Sequence, residues 1–121
     1  MGEQVDKLLN AVLTFKIVNV SSAGQVFIPI PDGYDGEVVE IVTALNGAIT
    51  GGDAVLTPKI AGVAMTNGVI TIANSGSAAG DVDRSRPSSA NAVASGGSIE
   101  IETNGGSTGT VEVNGTIRIR R

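Results

Sequence analysis

Gly105-Gly106-Ser107-Thr108-Gly109 reproduces the letters G-x-S-x-G, the nucleophile elbow in which a serine between a strand and a helix passes its proton to a histidine. The chain has no histidine, and the residues after Gly109 alternate like a strand instead of opening a helix. A solvated β-turn of Gly, Ser and Thr accounts for the same letters. Glu100 and Glu102 could form a carboxylate pair for glycosidic chemistry, but alternate residues on one wet strand face are more simply solubilising charges. Asp32, Asp35, Asp81 and Asp83 could offer oxygens to a calcium ion; their spacing falls short of a D-x-D-x-D-G loop, so turn-forming carboxylates are the default reading. The glycines match no G-x-x-x-x-G-K-[ST] phosphate cradle. With cysteine also absent, disulfides, thiol nucleophiles and the usual zinc sets are excluded. No catalytic residue, cofactor or metal site is expected, and the chain reads as a non-enzyme.

The remaining chemistry is that of contact. Twelve acidic and eight basic side chains give a net charge of −4, and the pI near 4.6 argues against general affinity for nucleic acid. Residues 1–60 carry seven acids and three lysines, whereas residues 61–121 carry five acids and all five arginines. Arg118, Arg120 and Arg121 form a local positive end suited to docking on carboxylates, or to guarding a sheet edge. Arg84 and Arg86 read as a solvated loop that could also meet a partner's acids. No apolar run reaches the ~18–20 residues of a membrane helix, and the start lacks the pattern of a secretory signal, so no membrane partner is expected. The sequons at Asn19 and Asn114 are therefore sequons by letter only.

These groups must be carried by a chain that is 41% hydrophobic, 17% charged and 2% aromatic, enough aliphatic material for one folded domain of 121 residues. Val5, Leu8, Leu9 and Val12 recur at helical spacing, which predicts a short amphipathic helix or arm over 1–13 that must lie against a partner or its own domain. From Thr14 the period changes to two. Strands are expected over 15–20, 25–30, 37–45, 54–60, 63–65, 69–72, 98–103 and 110–120, with a short one near 78–82. The breaks at 21–24 and 66–68 read as hairpins, and Pro29 and Pro31, flanking Ile30, put their strand at an edge or end it there. In the strand over 37–45, Val38, Val42 and Ala44 fall on a half-apolar second face expected to contact another protomer. About eight short strands joined by Gly-rich turns predict an all-β, jelly-roll-like β-sandwich over 14–121.

Five stretches carry a resemblance: 42–50 (Val-Thr-Ala-Leu-Asn-Gly-Ala-Ile-Thr), 56–64 (Leu-Thr-Pro-Lys-Ile-Ala-Gly-Val-Ala), 73–83 (Ala-Asn-Ser-Gly-Ser-Ala-Ala-Gly-Asp-Val-Asp), 90–93 (Ala-Asn-Ala-Val) and 97–108 (Gly-Ser-Ile-Glu-Ile-Glu-Thr-Asn-Gly-Gly-Ser-Thr). Together they resemble the jelly-roll module of tailed-bacteriophage structural proteins. The resemblance implies a capsid decoration, or cement, protein on the outer surface of the virion, trimeric and bound to the major capsid protein. The module is expected to fill the chain without a stalk or coiled coil, an expectation that favours the head over a fibre. A phage fibre or a receptor- or carbohydrate-binding β-sandwich is the alternative. Contacts with capsid or protomer are expected at Val5, Leu8, Leu9, Val12, Val38, Val42, Arg118, Arg120 and Arg121.

Overall fold

Apolar and polar residues that alternate between Gly, Pro, Asn and Asp breaks give two-faced strands. The computed structural model, which describes residues 10–121, contains ten of them and no helix among the described residues. They are β1 (Asn10–Ile17), β2 (Gly24–Pro29), β3 (Gly36–Leu45), β4 (Ala54–Ile60), β5 (Val63–Ala64), β6 (Ile70–Ile72), β7 (Val82–Ser85), β8 (Ala92–Val93), β9 (Ser98–Thr103) and β10 (Val113–Arg120). One antiparallel sheet has the order β1-β10-β3-β7, with β8 also on β3. The other runs β2-β9-β4-β5, with β6 also on β4. β1 pairs with β10, β2 with β9, β3 with β7 and β8, and β4 with β5 and β6. That nested pairing is an antiparallel ribbon rolled over itself, the jelly-roll form of the β-sandwich. Two of its eight strand positions are each divided between two short strands.

The order overturns two local expectations. The break at 21–24 is no hairpin: it carries the chain from one sheet to the other, so β1 and β2 become edges of different sheets. Val20 donates to Val111 O at 2.9 Å and Asn19 Oδ1 accepts from Ser21 N at 3.0 Å, which turns the corner. Nor do 63–65 and 69–72 pair with each other, since β5 and β6 lie in succession along β4. The tight turn falls earlier, at Ala61 and Gly62, where φ is +52° and +81°. Residues 66–68 instead cross to Ser88 and Ser89 through backbone bonds of 3.0 Å at Thr66. β2, with Pro29 at its end, is an edge strand as its prolines require.

β1 begins at Asn10, so residues 10–13 are sheet and not helix, and the expected boundary between arm and domain falls inside a strand. Val5, Leu8 and Leu9 of the expected arm lie outside the described residues. The strand sought at 78–82 begins only at Val82.

A bulge in β3 changes which face its residues use. Arg118 pairs with Glu40 but Ile119 pairs with Val38, leaving Val39 as the extra residue. Val38 is thereby turned inward and is 0% exposed, so it belongs to the core and not to the contact face expected of it. Asn91 secures it: Val38 N donates to Asn91 O at 2.9 Å, and Asn91 Nδ2 donates to Val38 O at 2.7 Å. The core between the sheets is almost wholly aliphatic, with Ile41, Leu45, Ile117 and Ile119 facing Leu56, Ile72, Ile99 and Ile101. Phe15 is its one buried aromatic.

Candidate functional site

The alternation that buries one face of β1, β10, β3 and β7 leaves the other outside, and the registers place its residues in rows. Val12, Arg118 and Glu40 form one row across β1, β10 and β3. Thr14, Thr116, Val42 and Arg84 form the next, ending on β7. Lys16, Asn114, Ala44 and Val82 form the third. The short side chains in the middle leave a shallow depression of about 640 Å³ lined by Thr14, Val42, Ala44, Val82, Asn114 and Thr116. Val12 and Val82 are each 55% exposed, more apolar surface than a purely solubilising face needs.

The two ends of this face differ in charge. At one end Glu112 accepts from Asn46 Nδ2 at 3.1 Å and lies 3.5 Å from Lys16 Nζ, a balanced polar network. At the other, one carboxylate faces three guanidiniums. Glu40 lies 3.5 Å from Arg84, 3.5 Å from Arg86 and 3.9 Å from Arg118. Its side chain is 17% exposed, while the arginines are 49–70% exposed, so the cations ring the acid and project beyond it. Arg120 stands further along β10, exposed and beside Glu37 on β3.

The expected terminal cluster is thus divided. Arg118 joins the group around Glu40, whereas Arg121 turns to the 31–36 loop, donating to Gly33 O at 2.7 Å and standing 5.7 Å over the Tyr34 ring. Arg84 and Arg86 replace it. Their i, i+2 spacing is the signal that a strand would hold both on one side, and Glu40 is marked by being an acid within the most apolar strand. Val42 is half-buried on the outer face.

The other motifs are scattered. Ser107 is buried, and its hydroxyl is 2.8 Å from that of Ser21. Glu100 and Glu102 project from the outer face of the opposite sheet, with Glu102 3.0 Å from Lys59 Nζ. Asp35 accepts from the hydroxyl and amide of Ser95, which hold its carboxyl below the ordinary value. Asp81 accepts from Ala78 N at 2.9 Å. Asp83 is pushed up by burial and by the neighbouring charge of Asp81. Among the described residues no three acidic side chains converge as a metal site. No helix among them is long and apolar enough to cross a membrane.

No protein-family model matches the chain, and no curated protein sequence does. Among solved structures, it resembles a chain of the acidic stable capsid structure of Helicobacter pylori bacteriophage KHP30. The TM-score is 0.59 at 12% identity, over 93% of this chain and 88% of that one. A chain of the cyanophage Pam1 capsid asymmetric unit superposes over 93% of this chain and 81% of its own, at 11% identity and a TM-score of 0.43. At 12% identity the KHP30 likeness is one of fold alone, and it extends over nearly the whole β-sandwich, the scaffold that presents the arginine-rimmed face.

Proposed function

We propose that the chain is a non-enzymatic structural protein of a tailed-bacteriophage virion, a decoration protein that binds the outer surface of the assembled head as a homotrimer. The observation that carries this reading is the likeness to a chain of a phage capsid structure over 93% of the residues. The partner is the major capsid protein. Val12, Val42, Arg118 and Arg120 face the shell, and Val5, Leu8 and Leu9 of the N-terminal segment add apolar contact. A subunit that binds the assembled shell and not its separated parts stabilises the shell by mass action, and three linked subunits multiply weak contacts.

The test is to purify heads of the phage that encodes the chain, strip them with mild denaturant and add the protein back. Saturable rebinding that raises the temperature of head disruption supports the reading; absence from the heads, with the protein found on fibres, overturns it. Light scattering at micromolar concentration reads the trimer. The alternative, a carbohydrate- or receptor-binding module of a fibre, has one observation in its favour: Phe27 is 57% exposed beside Glu100. Micromolar binding on a glycan array, abolished by Phe27→Ala, would reverse the order of the two readings.

A further inference from the structure

The group around Glu40 holds more positive charge than it neutralises. Three guanidiniums share one carboxylate, at 3.5 to 3.9 Å, which are ion-pair distances longer than direct hydrogen bonds. Each guanidinium carries several N–H donors, and one carboxylate cannot satisfy those of all three. The local excess is two positive charges (three arginines less one glutamate) on a chain whose net charge is −4. A second carboxylate is the group this geometry lacks, and beside it lies the depression floored by Val42 and Ala44.

Another copy of the chain suits this face poorly. A two-fold axis through the arginine group would oppose arginine to arginine, and one that brought the other end of the face to it would offer only Glu112, which Lys16 already neutralises. The acids of the opposite sheet, Glu100 and Glu102, point the other way, so contact between front and back would run on from copy to copy without closing.

We infer that the outer face of the β1-β10-β3-β7 sheet docks an acidic partner protein whose carboxylate enters the Arg84, Arg86 and Arg118 group beside Glu40, with apolar side chains seated on Val12 and Val42. Glu40 then has two roles: it holds the three guanidiniums together in the free protein and leaves donors aimed outward for the partner. This deepens the proposed function by naming how the shell is recognised, and it rests on that reading only for the partner's identity.

Titration of the isotope-labelled protein with poly-L-glutamate at about 20 mM salt, followed by NMR, tests the face without heads. Shifts should centre on Val42, Arg84 and Arg118. The Arg84→Gln/Arg86→Gln/Arg118→Gln variant should bind about tenfold more weakly, a loss of about 1.4 kcal/mol. Lys59→Gln, on the other sheet, should bind like wild type. Equal affinity of wild type and triple variant overturns the inference, as does tighter binding of an oligothymidylate than of poly-L-glutamate, which would make the occupant a phosphate polyanion. A change of oligomeric state in the triple variant would make it a second copy and also overturn the inference. On heads, wild-type occupancy that the triple variant retains in full defeats the arginine contact and leaves the proposed function standing. Failure of wild type itself to bind heads, with the poly-L-glutamate result intact, defeats the function and leaves the face.

Discussion

Phe15 on β1 and Gly115 on β10 are cross-strand partners, and the phenyl ring occupies the place where a Cβ on residue 115 would stand. Glycine inside a strand weakens it, and here the ring supplies the missing apolar surface. Gly115→Ala should therefore destabilise the fold by about 1–3 kcal/mol through overpacking. Phe15→Leu in the same background should recover part of the loss. A double-mutant cycle by urea denaturation measures the coupling; additive effects would contradict this packing.

Glu40→Gln removes the negative charge around which Arg84, Arg86 and Arg118 are arranged. Mutual repulsion of the guanidiniums should lower stability by about 1 kcal/mol at low ionic strength. The deficit should shrink in about 500 mM salt, where the Debye length falls to a few ångströms. Denaturation midpoints of both proteins at the two salt concentrations decide it.

Asp35 and Asp83 should respond to acid in opposite senses. The carboxyl of Asp35 is held low by Ser95, so its stabilising contribution is present above the unfolded value and is lost as pH falls through the folded one. Asp35→Asn should be less stable than wild type at neutral pH, with the gap closing in acid. Asp83 is raised by burial and by Asp81, so its contribution is present below the unfolded value and is lost as pH rises through the folded one. Asp83→Asn should match wild type in acid and exceed it at neutral pH. Thermal melts across the acid range check both signs.

Deletion of residues 1–9 leaves every residue of β1 in place, because the strand starts at Asn10. The truncated protein should melt like wild type and lose occupancy on heads. A longer deletion that takes Ala11, which is buried, should also lower the melting temperature. Full occupancy of the shorter deletion would exclude a docking role for Val5, Leu8 and Leu9.

Strict alternation made β9 and β10 readable: Ile99, Ile101, Val113, Ile117 and Ile119 are all buried where period two puts them. The same rule misplaced Val38, since one extra residue at Val39 inverts the parity of everything before it, and no local pattern marks a bulge. Strand partners were hidden for a different reason. Asn67-Gly68 has the letters of a hairpin turn, but Val63 and Ile70 both pair with β4 and not with each other, Val63 across the Ala61-Gly62 turn and exposed, Ile70 buried opposite Leu56. Of the arginines, Arg118 was legible from its strand face, whereas Arg121 was drawn away by the Gly33 carbonyl and the Tyr34 ring, which only the fold brings near.

The position of β10 has a kinetic consequence. It lies between β1 and β3, pairing Phe15 with Gly115 on one side and Ile41 with Ile117 on the other. Its neighbours are thus joined through the last of the ten strands, and the contacts that complete the sheet span most of the chain. Loop closure must be met before those pairings return any stability, so folding should be slow for a domain of this size, with the arginine-rimmed face among the last features to form. Until β10 arrives, the apolar inner face of β3 is without one of its two flanking strands. That interval, more than the finished sandwich, is when the chain is exposed to aggregation.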